Sequence, residues 1–464
     1  MIDRDRALVA ALEGALPAGR VVLDPDVVTA ASRDQATWLV PGRATALVRP
    51  RSGSEVAATA RAAASVGAPL VPRGAGSGLS GGANAIDGCV VVDVSGMDRI
   101  LDVDEVERLA VVEPGVLNAE LDAAAATIGL WYPPDPASRA FSTIGGNVAT
   151  NAGGLCCVKY GVTRDWVASL ELCLASGETL VTGRATRKDV AGYDLTSLVV
   201  GSEGTLGIVT RVTVRLLPRP APPATAVALF PDLASTGEAV QQLARVHVPS
   251  LCELVDGPTL RAVDDWRRMS LDRDAAAMLV LQSDERDPVL RRQDAEAMAA
   301  VCTAAGASTT HVTDDPVETD LLLEARRLAY PAVERLGAAL LDDVGVPIRQ
   351  LAGYLSDVAK VADRHDVRVL TFGHAGDGNL HPTVVTDHGD DDGRRRAEAA
   401  FADLVEAAVR RGGTATGEHG VGRLKTEAAS RQRGPVSDRV HRAVKAAFDP
   451  QNLMNPGTLI EARP

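Results

Sequence analysis

Four prolines fall within six residues at Pro218-Arg219-Pro220-Ala221-Pro222-Pro223. Proline fixes φ and lacks a backbone N–H, so such a run can neither continue a helix nor lie inside a sheet. The run predicts a break that separates a domain over residues 1–218 from a second over 219–464. A length of 464 residues exceeds what one hydrophobic core usually serves, which agrees with two domains at least.

Before the break, three glycine-rich stretches alternate with short apolar runs. The first is Pro72-Arg73-Gly74-Ala75-Gly76-Ser77-Gly78-Leu79-Ser80-Gly81-Gly82. Gly76, Gly78 and Gly81 satisfy G-x-G-x-x-G, but a dinucleotide fold of the Rossmann type needs a helix to open there. The continuation to Gly88 is too rich in Gly, Asn and Asp for that. Consecutive backbone N–H groups still bind phosphate as a nest. The second stretch, Ser142–Gly154, interleaves Ser, Thr and Asn with glycine, and reads as a loop whose backbone lies against a polar ligand. The third, Gly201-Ser202-Glu203-Gly204-Thr205-Leu206-Gly207, leads into a strand over 208–217. Together they imply one large ligand with phosphates and a polar ring system. No GxxxxGK[ST] occurs, which argues against nucleotide hydrolysis of the P-loop kind.

After the break, strand patterns at 226–230, 250–254, 277–282, 311–313, 340–346 and 369–372 alternate with helical patterns at 233–244, 289–305, 320–336 and 394–411. This order predicts an α+β domain with helices on one face of an antiparallel sheet. The last strand delivers Gly373-His374-Ala375-Gly376-Asp377-Gly378-Asn379-Leu380-His381, and Gly417-Glu418-His419-Gly420 follows about forty residues later. Both read as loops. Imidazole and carboxylate suit a divalent transition metal such as zinc. His374, His381 and Glu418 would supply three ligands and leave a position open, while His419 is free to act as a base near neutral pH.

Aromatic residues at 3% and a formal net charge of −13 argue against a nucleic-acid or anionic-membrane surface. There is no run of apolar residues long enough for a membrane span, and the N-terminal Met1–Arg6 lacks a signal-peptide core, so a cytoplasmic location is expected. The six cysteines show no C-x-x-C spacing, which excludes the usual iron–sulfur and structural zinc patterns on this chain.

Eight ordered segments resemble the FAD-linked D-2-hydroxy-acid dehydrogenases, a family that includes D-lactate dehydrogenases, the flavin subunit of glycolate oxidase and D-2-hydroxyglutarate dehydrogenase. They are Pro72–Gly82, Ile144–Gly154, Tyr160–Asp165, Gly192–Leu195, Gly201–Gly207, Gly373–Pro382, Gly417–Gly420 and Phe448–Gly457. The resemblance implies an FAD domain of the vanillyl-alcohol-oxidase (PCMH) type, in two α+β subdomains, and a C-terminal α+β substrate (cap) domain. It implies that Arg73, Gly74, Gly76, Ser77 and Gly78 hold the FAD pyrophosphate. Pro136, Ser142, Thr143, Gly146, Asn147, Asn151, Gly153 and Gly154 would line the flavin and its phosphates. Glu203, Gly204 and Ile208 would lie near the adenine–ribose end, and Asn455 would close over the flavin. No histidine stands in the first loop, so noncovalent FAD is expected.

The same resemblance makes Arg326 the bidentate clamp for a substrate carboxylate. The reaction it implies is hydride transfer from C2 of a D-2-hydroxy acid to the flavin, with His419 taking the hydroxyl proton. Leu341 and Thr383 stand where the hydroxyglutarate enzymes have lysine and asparagine, which favours D-lactate, glycolate or another monocarboxylate over a dicarboxylate. An oxidase that uses dioxygen, a flavin subunit of a multi-subunit glycolate oxidase and D-2-hydroxyglutarate as substrate are the alternatives; the intact His374, His381, Glu418 and His419 set argues against a silent subunit, and a plain metal-binding structural protein would leave the three glycine-rich stretches unexplained. The partners implied are the small hydroxy acid, an electron acceptor such as a quinone, an electron-transfer flavoprotein or a cytochrome, and a second copy in a homodimer, with peripheral membrane attachment allowed.

Overall fold

The computed structural model describes residues 3–461. The chain forms two compact units, one of Met1–Gly153, Val162–Arg219 and His419–Pro464, the other of Gly154–Gly161 and Pro220–Glu418. The proline run thus coincides with one crossing, but the sequence pattern gave no sign of the short excursion at Gly154–Gly161.

The first unit contains two principal sheets. One orders Val21–Val22, Ala46–Val48, Val90–Asp93 and Leu70–Arg73, the last three strands parallel. Its valine- and leucine-rich strands pack against helices Asp3–Ala15 and Gly53–Ser65, and Leu8, Leu12, Val56, Ala60, Leu70 and Val92 share one core. The N-cap of the second helix is Ser52, whose hydroxyl accepts from the Glu55 N–H at 3.3 Å. The other sheet is antiparallel, in the order Ile100–Asp104, Leu109–Val112, Ile208–Arg215, Val167–Cys173 and Thr179–Gly183. Its core joins Val112, Leu121, Ile144, Leu170, Val212 and Val214.

The second unit is built on an eight-stranded antiparallel sheet. Its order is Thr309–Thr313, Ala224–Phe230, Ala277–Ser283, Leu251–Asp256, Arg368–His374, Asn379–Thr386 and Ala338–Leu341, with Val344–Gly345 also pairing Asn379–Thr386. The expectation of helices on one face is corrected here. Every residue of Leu251–Asp256, Ala277–Ser283 and Asn379–Thr386 is buried, which requires cover on both faces. Helices Leu233–Val246, Pro288–Ala304, Leu351–His365 and Asp391–Arg410 pack on one another and on the sheet. Helices Gly257–Arg267, Pro316–Arg327 and Ala329–Glu334 contribute to separate cores with Val255, Val280, Leu370 and Phe372. The threonine-rich strand Thr309–Thr313 lies at the edge, where its exposed positions meet water.

Two local details set the position of functional side chains. The helix expected over 320–336 is two helices, because Pro331 has no N–H to offer the carbonyl four residues back. The first ends at Arg327, and Pro331 falls in the first turn of the next, where a missing N–H costs little. Asp256 caps Gly257–Arg267 by accepting from Thr259 N–H at 2.8 Å, and its other oxygen accepts from Thr371 N–H at 2.7 Å. Burial pushes its carboxyl up to about 6. One buried side chain therefore ties a helix start to the strand that ends in His374.

Candidate active site

His374 and His381 do not sit in loops, contrary to the sequence expectation. His374 ends the strand Arg368–His374 and His381 lies within Asn379–Thr386, the two strands joined by a tight turn. Phe372 is opposite His381 and Asn379 opposite His374 in the register. Gly378 makes the turn possible: its φ is +80°, and a Cβ there would fall 2.1 Å from the Val346 carbonyl oxygen. The two imidazoles meet edge to face at 5.2 Å between centroids.

Glu418 completes the cluster. Its Oε1 lies 3.1 Å from His374 Nε2 and 3.4 Å from His381 Nε2, and the three donor atoms all lie within 4.8 Å of one another. The opposite nitrogen of each ring faces a buried carboxylate. His374 Nδ1 is 2.7 Å from Glu253 Oε1, and His381 Nδ1 is 3.6 Å from Asp343 Oδ1. Asp343 also shapes the segment that carries Glu418. Its Oδ2 accepts from Thr416 Oγ1 at 2.6 Å, Gly417 N–H at 2.8 Å and Glu418 N–H at 3.0 Å. Its Oδ1 accepts from Asn379 Nδ2 at 2.7 Å. Burial opposes charging of His374, but Glu253 and Glu418 on its two sides raise its pKa well above the usual value.

Arg326 projects from the last turn of Pro316–Arg327 and is almost fully buried. Its Nε donates to Glu253 Oε2 at 2.6 Å, and its guanidinium lies 5.1 Å from the Phe372 ring centre. Glu253 and the Phe372 ring thus hold the guanidinium from two sides. Neither Glu253 nor Asp343 was expected from the sequence. The available signal was a carboxylate inside an apolar run, at Leu251-Cys252-Glu253-Leu254-Val255 and at Leu340-Leu341-Asp342-Asp343-Val344. A buried acid needs partners, and those of Glu253, in a central strand, and of Asp343, in the connection between Ala338–Leu341 and Val344–Gly345, are the residues of this cluster.

In the first unit, the glycine-rich stretches converge as backbone. Gly74 lies against Thr143, whose Oγ1 would be 2.4 Å from a Cβ at that position. Gly76 has φ +72°, and the Arg73 guanidinium packs over its α-carbon while donating to the Arg33 carbonyl at 2.6 Å. Gly78 accepts from Gln35 N–H at 2.9 Å through its carbonyl, with Ser77 beside it in the same turn. The stretch after Ser142 is not a loop. Thr143 accepts from Gly146 N–H at 3.2 Å and caps a short helix, Ile144–Thr150, closed by Asn151 in the left-handed conformation. Pro136 and Gly153 are buried nearby in sequence, while Gly154 begins the segment that packs with the second unit. His419 belongs to the first unit, where its carbonyl accepts from Ser80 Oγ at 3.2 Å.

Comparison with known proteins decides the family. Residues 219–459 match the model described as FAD linked oxidases, C-terminal domain, and residues 44–183 match an FAD binding domain. The chain belongs to the FAD-linked oxidase family. It is 41% identical over 416 residues to "Glycolate oxidase subunit GlcD" of Bacillus subtilis, covering 89% of this chain and 88% of that one. It is 33% identical over 450 residues to "D-lactate dehydrogenase" of Anaerostipes hadrus, covering 95% and 94%. Among solved structures, p-cresol methylhydroxylase superposes with a TM-score of 0.84 at 16% identity over 99% of this chain and 98% of that one, a likeness of fold alone.

This FAD-linked oxidase carries side chains that fit the flavin nucleotide. Ser142 Oγ and Asn147 Nδ2 are buried and have no hydrogen-bond partner among the described residues, a shortfall that polar atoms of bound FAD would make good. Three of the residues expected near FAD also make contacts within the chain. Ile208 packs its side chain into the hydrophobic core and pairs Cys173 in the sheet. Glu203 accepts from the Val421 and Gly422 N–H groups at 2.8 and 2.7 Å, while burial pushes its carboxyl up to about 7. Asn455 donates to the Gly82 and Glu203 carbonyls, each at 2.8 Å, and accepts from Arg423 at 2.9 Å and Thr458 at 3.1 Å. The Glu203 and Asn455 side chains thus pin the segment after His419, and Gly204, beside Glu203, has a φ of +70° and lies against Pro72. Gly422 is the tightest point of that segment. Its φ is +54°, and a Cβ would sit 1.8 Å from the Ser80 carbonyl oxygen. Gly422→Ala is expected to displace residues 419–424 and to lower stability by roughly 3 kcal/mol or more, from backbone strain plus the clash. A shift of the thermal midpoint by less than about 2 °C would contradict it.

Proposed function

We propose that this FAD-linked oxidase oxidises a D-2-hydroxy acid of the D-lactate or glycolate type to the 2-keto acid. The observation that carries the reading is the convergence of His374, His381 and Glu418 within 4.8 Å, with Arg326 held beside them through Glu253. Two imidazole Nε2 atoms and one carboxylate, with each imidazole backed by a second carboxylate, fit a divalent cation such as zinc. Bound FAD would supply the hydride acceptor, and the bound cation would polarise the substrate hydroxyl.

The residues of the chain supply the rest. Arg326 holds the substrate carboxylate with its terminal nitrogens, its Nε being occupied by Glu253. His419, next in the chain after Glu418, takes the hydroxyl proton as hydride leaves C2. Oxidation removes two electrons and two protons' worth of hydrogen, one as hydride and one as a proton on His419 Nε2 or Nδ1. Leu341 and Thr383 pair across neighbouring strands near His381 and bring no cation, which favours a monocarboxylate. The relatives' names, a glycolate oxidase subunit and a D-lactate dehydrogenase, agree with this substrate class. The electrons then pass to an external acceptor, a quinone, a flavoprotein or a cytochrome. Among the described residues no helix is long and apolar enough to cross a membrane.

The test is the visible spectrum of the flavin-loaded protein under anaerobic conditions, with D- and L-2-hydroxy acids added in turn. Bleaching by a D-acid and not by its L-enantiomer supports the reading; failure of every 2-hydroxy acid sinks it. His419→Asn is expected to retain the oxidised flavin spectrum and to slow its reduction by roughly 10²–10⁴-fold, the usual contribution of a general base. Near-normal reduction would remove His419 from that role.

A further inference from the structure

We infer that Glu253 couples the carboxylate clamp to the metal ligands, so that Arg326, which is not a ligand, helps to set metal affinity. The inference rests on the reading of His374, His381 and Glu418 as the ligand set. Glu253 is fully buried, lies opposite His374 in the register, and gives one oxygen to each of two site residues. Oε1 is 2.7 Å from His374 Nδ1, and Oε2 accepts from Arg326 Nε at 2.6 Å.

The torsion that turns a glutamate carboxyl about its last bond is broad and soft, so one hydrogen bond alone does not fix its plane. Arg326 supplies the second point. With the plane fixed, Oε1 faces the His374 ring edge and holds its N–H on Nδ1, which leaves Nε2 directed at Glu418. The network also reaches the other histidine. Arg326 stacks 5.1 Å above Phe372, and the Phe372 ring lies 5.7 Å from that of His381. Both imidazoles are thus braced from the same guanidinium, one through Glu253 and one through Phe372. A residue that contacts substrate then also shapes the ligand set, and substrate and metal affinities are linked.

The experiment measures the zinc dissociation constant of the full-length, flavin-loaded protein by competition with a chromophoric chelator. Glu253→Gln is expected to weaken zinc binding about 10–100-fold, as loss of the carboxylate behind a ligating histidine usually does. Arg326→Met keeps the apolar stem but cannot donate, and is expected to weaken zinc binding at least about 5-fold. Arg326→Lys is expected to fall between Arg326→Met and the unsubstituted protein, and serves if Arg326→Met does not fold. Arg327→Met, at the neighbouring exposed position paired with Asp320, controls for damage to the helix and is expected to bind zinc as the parent does. Equal zinc affinity in the parent and in Arg326→Met, or in Arg326→Lys where Arg326→Met does not fold, overturns the coupling. A parent protein that takes up no zinc overturns instead the ligand reading on which the coupling rests.

Discussion

His381→Ala is expected to abolish tight metal binding and to reduce kcat/KM by roughly 10³-fold. His381 is one of three donors within 4.8 Å, and two protein ligands hold a divalent cation far less firmly than three. Replacing a residue merely behind a ligand costs about 10–100-fold in affinity, so loss of a ligand is expected to exceed that. Polarisation of the substrate oxygen by a cation is worth several kcal/mol, and about 4 kcal/mol corresponds to the stated factor. The substitution leaves the flavin loops untouched, since His381 lies within a strand of the second unit. The variant should therefore keep its flavin spectrum, lose metal by elemental analysis, and match the parent protein after exhaustive chelation. A variant with full activity, or a chelated parent that differs sharply from it, would contradict the assignment.

Asp343→Ala is expected to lower the stability of the second unit by about 4 kcal/mol, the range seen when one partner of a buried charged network is removed. Three donors converge on Asp343 Oδ2, from Thr416, Gly417 and Glu418, and Asn379 Nδ2 reaches its Oδ1. Truncation removes the shared acceptor of one buried donor, Asn379 Nδ2, and three partly buried ones, and an unmet buried donor costs about 1–3 kcal/mol before relaxation. The unit spans some 200 residues, for which that loss lowers the melting midpoint by roughly 10 °C. Because the donors include the Glu418 N–H, metal retention should fall as well. Asp343→Asn keeps the shape but turns an amide NH₂ toward N–H groups, so it should recover only part of the loss. A midpoint within about 2 °C of the parent would show that the segment before Glu418 is held by other contacts.

Much of this molecule was legible from local chemistry. Proline fixes φ and lacks an N–H, and the division at Arg219–Pro220 falls within Pro218–Pro223, although Pro218 itself pairs Leu130 in a two-stranded ladder. Strands with dense Val, Leu and Ile, such as Val90–Asp93 and Ile208–Arg215, were readable because their neighbours are turn formers. The histidines and Glu418 stood out because such polar side chains amid glycine have few structural uses, and the structure brings their donor atoms within 4.8 Å of one another. Other features were hidden for a reason. Gly-His-Ala-Gly-Asp-Gly-Asn-Leu-His looks like a loop, yet cross-strand pairing from Phe372 and Leu380 overrides the local turn propensity and makes Asn379–Thr386 a fully buried strand. Ile144–Thr150 holds two adjacent glycines, which disfavour a helix, but the Thr143 cap and the burial of Ile144 and Val148 outweigh them.

Covalent constraints and side-chain chemistry act within a few residues, and for that reason the order of residues alone carried the expectation of a break at the proline run and the need for a phosphate-bearing ligand, but not the return of residues 419–464 to the first unit. Burial and register act between residues far apart in the chain. Only packing could set Glu253 behind His374, 121 positions away, and gather Asp343 onto the backbone before Glu418, 75 positions away. The same distance argument explains Asn455, whose side chain joins Gly82 to Glu203 across 373 and 252 positions and could not be assigned by local pattern.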